Sequence, residues 1–116
     1  DPRAARVIQI VRQEIAGSTG PSSATSARFA STLGLSVSRF THLFSESVGM
    51  PFRTYVLWLR LESALDSLAA RSSVTQAAHA AGFADAAHLS RTFHRMFGVA
   101  PSEALGHVRF VREGDP

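Results

Sequence analysis

Shifted by 49 residues, the chain superposes on itself: Ser36, Phe40, Phe44 and Gly49 fall on Asp85, Leu89, Phe93 and Gly98. A short polar residue able to cap a helix, two bulky apolar residues one turn apart and a closing glycine thus recur in order. Upstream, with the shift reduced by one, Ala30 and Gly34 fall on Ala78 and Gly82. The difference of one residue lies in the turn, Gly34-Leu35-Ser36 against Gly82-Phe83-Ala84-Asp85. Each copy therefore has a helix carrying Ala, a Gly four residues on, a tight turn and a capped second helix. That is the pattern of a helix-turn-helix. The small Ala lets the two helices cross closely, and the Gly accepts the positive φ of the turn. Two copies in register confine the chain to a pair of small helical cores.

The rest of the chain is helical in period, and strand signals are missing. Val7, Ile8, Val11 and Ile15 lie on one face of a helix predicted from about Arg3 to Ala16. The run 17–23 (GSTGPSS) breaks it. Shorter periodic segments follow near Thr25–Leu33 and Ser36–Val48, the latter closed by Gly49. Pro51 suits the first turn of a long helix to about Ala70, because a proline there loses no hydrogen bond. Tyr55, Trp58, Leu59, Leu61, Leu65 and Leu68 cover more than half its circumference, as expected of an element packed on two sides. Ser73 and Gln76 read as a capping box. Asp85 caps a helix over 86–97, and Pro101 opens a last short helix to about His107. The expected fold is all-α, with seven helices. It forms one unit over 1–116, made of a first helix-turn-helix subdomain (1–50), a linker helix (51–70) and a second subdomain (71–116).

Composition narrows the chemistry. Cysteine is absent, which excludes a disulfide scaffold, a thiolate zinc site and a catalytic thiol. No apolar run approaches the roughly 20 residues that span a bilayer, and the start of the chain has no basic-then-apolar signal pattern. A cytosolic piece of something longer is the expectation. Net charge is only +3, yet all 12 basic residues are Arg. Arg carries a planar fork of donors matched to phosphates and base edges, where Lys offers a point charge.

Two runs carry a family resemblance. Residues 77–93 (AAHAAGFADAAHLSRTF), followed by Phe97-Gly98-Val99-Ala100-Pro101-Ser102-Glu103, resemble the C-terminal signature of the AraC/XylS family of bacterial transcription regulators. Arg60-Leu61-Glu62 with Ala64 and Leu68 is similar to that family's linker helix. The resemblance covers about Arg6 to Val108. It implies two helix-turn-helix subdomains entering successive major-groove segments on one face of double-stranded promoter DNA. It also implies control of transcription initiation, often activation through RNA polymerase, and a separate N-terminal effector-binding or dimerisation domain. The implied location is the cytoplasm, at the nucleoid, with no cofactor.

The outward faces name the contact residues. On 36–48, Phe40, Leu43, Phe44 and Val48 form the inward stripe, leaving Val37, Ser38, Thr41, His42 and Ser45 outward. On 85–97, Leu89, Phe93, Met96 and Phe97 are expected inward, leaving Ala86, Ala87, Ser90, Arg91, His94 and Arg95 outward. A recognition helix sets its N-terminal half against base edges. The base-reading candidates are therefore Val37, Ser38, Thr41, His42, Ala86, Ala87, Ser90 and Arg91. Arg91 leads, since its fork fits guanine O6 and N7, and by resemblance it occupies the family's base-reading arginine. Alanines at 86 and 87 can touch a thymine methyl but cannot pair with adenine. His42 stands where the second copy has Arg91, so the first half is expected to be the weaker reader, or to read shape more than sequence. Arg28, Arg39, Arg53, His94 and Arg95 are the phosphate-contact candidates.

Other chemistry finds little footing. His88 and His94 diverge on their helix, unlike a zinc-binding pair one turn apart, and no carboxylate is expected at ligand spacing beside His42, His79 or His107, so no metal is expected. No strand-borne nucleophile, Gly-rich phosphate loop or paired-carboxylate motif points to an enzyme. The alternative is a helical protein-interaction module, permitted by the thin basic balance and by His42.

Overall fold

The computed structural model describes residues 1–17 and 24–106. Its elements are α1 (Pro2–Gly17), α2 (Ser26–Thr32), α3 (Val37–Val48), α4 (Phe52–Ala69), α5 (Val74–Ala80) and α6 (Ala86–Phe97), followed by a helical segment, α7, over 101–106. There is no strand among the described residues. The expected break falls mostly on 18–23 and the expected end of the last helix on His107, and both lie outside the described residues.

Local chemistry fixes the helix starts. The Ser36 hydroxyl accepts from Arg39 N at 3.1 Å, and the Asp85 carboxylate accepts from His88 N at 2.7 Å. Ser73 and Gln76 cap each other reciprocally, at 3.1 Å and 3.0 Å. Thr25 caps α2 through Arg28 N. Each arrangement satisfies amides that have no partner in the first turn, and a single cap contributes about 1 kcal/mol.

The two turns are built alike. After α2, Leu35 N donates to Ala30 O at 2.9 Å and Gly34 N to Ser31 O at 3.1 Å. After α5, Phe83 N donates to Ala78 O at 2.8 Å and Gly82 N to His79 O at 3.1 Å. This pair of bonds closes a Schellman motif and needs a left-handed residue just past the helix. Gly34 (φ +69°) and Gly82 (φ +90°) fill that role. The same motif ends α4, where Ser72 N bonds Ser67 O and Arg71 N bonds Leu68 O, but here the left-handed residue is Arg71, at φ +73°.

The chain divides into two compact units, with the boundary inside α4 between Arg60 and Leu61. In the first, Val7, Val11 and Ile15 of α1 pack with Phe29, Phe40, Phe44, Phe52 and Tyr55. Phe52 is the hub, with its ring 5.1 Å from Phe40, 5.1 Å from Phe44 and 5.6 Å from Phe29, all edge-on. Edge-to-face geometry of this kind adds to the burial energy of the rings. Arg12 Nε donates to Tyr55 Oη at 3.1 Å, tying α1 to α4.

The second unit buries Leu61, Ala64 and Leu68 of α4, Ala77 and Ala78 of α5, Phe83 in the turn, and Leu89, Thr92 and Phe93 of α6. The repeat conserves pattern rather than volume. Where the first core uses Phe29 and Phe40, the register places Ala77 and Leu89 in the second.

Two expected core residues are more open than their periodicity suggests. Phe97 is 42% exposed and Trp58 is 37% exposed. Phe97 is the last residue of α6, so its ring is covered by Phe93 at 4.8 Å but has no following turn beneath it. Leu43, Val48 and Met96 are half-buried.

Candidate nucleic-acid interface

The short turn of each unit delivers the chain to a capped helix with one polar face. In α3, Val37, Ser38, Arg39 and His42 are exposed and Thr41 is half-buried. In α6, Ala87, Arg91, His94 and Arg95 are exposed, and Ala86 and Ser90 are half-buried. Every base-reading candidate therefore stands at least partly open on the helix where the periodicity places it. His42 and Arg91 each lie six residues past their caps, Ser36 and Asp85. The Thr41 hydroxyl donates to Ser38 O at 3.0 Å, which leaves its oxygen to act as an acceptor.

The phosphate candidates divide. Arg39, Arg53, Arg91 and Arg95 are exposed and carry no side-chain ion pair among the described residues. Arg28 is engaged: both guanidinium amines bond the Glu14 carboxylate, Nη1 to Oε2 at 2.6 Å, and its centre lies 4.8 Å above the Phe29 ring. The Arg28 hydrogen bond is the main influence holding the Glu14 carboxyl below its usual range. Arg60, by contrast, has its basicity lowered by burial.

One charged residue of this face lies outside the candidate set. Glu46 is exposed on α3, one turn past His42, with Oε2 3.5 Å from His42 Nε2, so a carboxylate does stand at ligand spacing beside this histidine, contrary to the expectation from the sequence. The 49-residue register that pairs His42 with Arg91 also pairs Glu46 with Arg95, and this is the sequence signal that identifies it. Among the described residues there is no group of three or more acidic or histidine side chains able to hold a metal. No described helix is long and apolar enough to cross a membrane.

Two capped helices, each following a Schellman turn from a short partner helix, define a tandem helix-turn-helix domain. A helix-turn-helix domain model matches residues 29–106. The structure is similar to a transcriptional regulator with an AraC-type DNA-binding domain from Chromobacterium violaceum, at 25% identity over 90% of each chain and a TM-score of 0.76. It is also similar to a probable AraC family regulator from Rhodopseudomonas palustris, at 24% identity over 92% of this chain and 97% of that one, with a TM-score of 0.72. The DNA-binding domain of AdpA, a global transcriptional factor solved with a target DNA, matches at 20% identity over 97% of each chain, with a TM-score of 0.74. Comparison with curated protein sequences gives no match. The chain belongs to the AraC/XylS family of transcription regulators and comprises its helix-turn-helix DNA-binding region.

Proposed function

We propose that the chain regulates transcription by sequence-specific binding to double-stranded promoter DNA, with α3 and α6 each entering a major-groove segment. The observation that carries this reading is the paired construction of the two helices. Each follows the same turn, is capped at its N-terminus and presents exposed polar side chains, Ser38, Arg39 and His42 on α3 and Arg91, His94 and Arg95 on α6. Arg91 is the principal base reader, donating to guanine O6 and N7. Ser90 supplies a further polar contact, while Ala86 and Ala87 offer only methyl surface to a thymine. On α3, Val37, Ser38, Thr41 and His42 form the second reading face. Arg39, Arg53, His94 and Arg95 hold phosphates and set the register on the duplex. Arg28 joins them only by leaving Glu14, which makes it the weakest of the phosphate candidates.

The long helix α4 is the linker between the two subdomains, which extend over 1–50 and 71–116. Regulation proceeds through contact with RNA polymerase and under the control of an N-terminal effector-binding or dimerisation domain, in the bacterial cytoplasm. Two recognition helices call for two boxes one turn of DNA apart, about 34 Å on B-form duplex. Hydroxyl-radical footprinting on a selected promoter fragment tests the arrangement. Two protected boxes with centres roughly 10 base pairs apart are expected, and one box alone would contradict it.

A further inference from the structure

The two pairs of side chains made equivalent by the repeat carry opposite charge. Arg91 and Arg95 stand one turn apart on α6, and the same register places His42 and Glu46 one turn apart on α3. Both side chains of the α3 pair are open to solvent, at 81% and 76% exposure, and they meet at 3.5 Å. With a neutral imidazole, this pair bears a single negative charge where the α6 pair bears two positive ones. The depression alongside is lined by Ser38 and Arg39 of α3 and by Asp1 and Arg3 at the start of α1. Asp1 and Arg3 pair with each other at 3.2 Å, so Arg39 is the cation that adds positive charge to this face.

The contact with Glu46 decides what His42 can offer a ligand. A carboxylate accepts only, so a neutral ring that keeps this contact carries its hydrogen on Nε2. In the neutral ring Nδ1 is then a bare acceptor. Set against guanine N7 and O6, or against a phosphate oxygen, it opposes one acceptor to another. A proton taken from solvent onto Nδ1 turns the same contact into a charge-assisted hydrogen bond and cancels the excess charge of the pair.

We propose that His42, oriented by Glu46, is a proton-linked DNA-contact residue, so that engagement of duplex by α3 takes up a proton and weakens as pH rises. The inference rests on the reading of α3 as a recognition helix. Histidine is the side chain whose charge changes across the neutral range, so His42 responds to pH where its counterpart Arg91 does not. His94, the phosphate candidate on α6, is the other histidine of the interface and is replaced in the parent protein used below.

The test is fluorescence anisotropy of the full chain with a labelled duplex selected by that chain from a random pool, at about pH 6 and about pH 8. Uptake of one proton permits at most about a tenfold change per pH unit, and wild type is expected to bind about three- to tenfold more weakly at the higher pH. In a His94→Gln parent, His42→Gln is expected to bind equally at both, near the parent's weaker level, and His42→Arg equally at both, near its tighter one. Wild-type affinity that is flat or rises with pH, or a dependence that survives His42→Gln in the His94→Gln parent because His79, His88 or His107 carries it, would overturn the inference alone. Absence of duplex binding at both pH values would overturn the DNA reading and this inference with it. Circular dichroism of each variant confirms the fold, which an exposed side chain does not support.

Discussion

The guanidinium of Arg28, on α2, lies across the carboxylate of Glu14, on α1, and clamps the two helices together. Paired in this way the Glu14 carboxyl is held low, first by the hydrogen bond and then by the charge of Arg28 against the opposing effect of burial. A carboxyl lowered on folding stabilises the fold fully above its unfolded value, about 4.3, and that contribution disappears as pH falls through the lower folded value. The pair is partly exposed, so Glu14→Gln is expected to cost about 0.5–1 kcal/mol near neutral pH. Urea unfolding of the two proteins should converge as the medium is made acidic. A difference that stays constant with pH would separate the pair from the stability of the unit.

Arg71 closes α4 in the left-handed region at φ +73°, where a Cβ is disfavoured by roughly 1–2 kcal/mol. Glycine removes that strain but adds freedom to the unfolded chain. Arg71→Gly is therefore expected to stabilise the protein by about 0.5–1 kcal/mol, whereas Arg71→Ala keeps the Cβ and changes little. Thermal unfolding of both variants checks the contrast. Equal effects would remove backbone strain as the cause.

Thr92 is 3% exposed, and its hydroxyl has no hydrogen-bond partner among the described residues. An unsatisfied buried hydroxyl costs about 1–3 kcal/mol, and valine has nearly the same shape without the polar atom. The register places Leu43 at this position of the first copy, an apolar residue. Thr92→Val is expected to raise the unfolding midpoint in urea without changing the slope. A lower midpoint would mean that the hydroxyl has a native partner.

The caps and turns are legible in the sequence because their interactions are local. Ser36, Asp85 and the Ser73–Gln76 pair act within three residues of themselves, and glycine at 34 and 82 marks the left-handed turn by its identity. The outward faces of α3 and α6 follow from helical period alone. What escapes is what the third dimension adds. Glu14 and Arg28 meet across two helices, which no spacing rule reveals. Arg71 adopts a glycine conformation without being glycine. Phe97 belongs to the apolar stripe of α6 by angle, yet the helix ends there and leaves its ring half open. Glu46 is a different case: helical period does not single it out, but the repeat register sets it against Arg95.

The central claim, that α6 reads sequence through Arg91, is tested most directly by measuring Arg91→Ala against the selected duplex and a set of duplexes altered at one base pair at a time. The expected loss is about 1–3 kcal/mol, concentrated on a single base pair at which the variant no longer discriminates. Unchanged affinity and unchanged base preference across the set would contradict it.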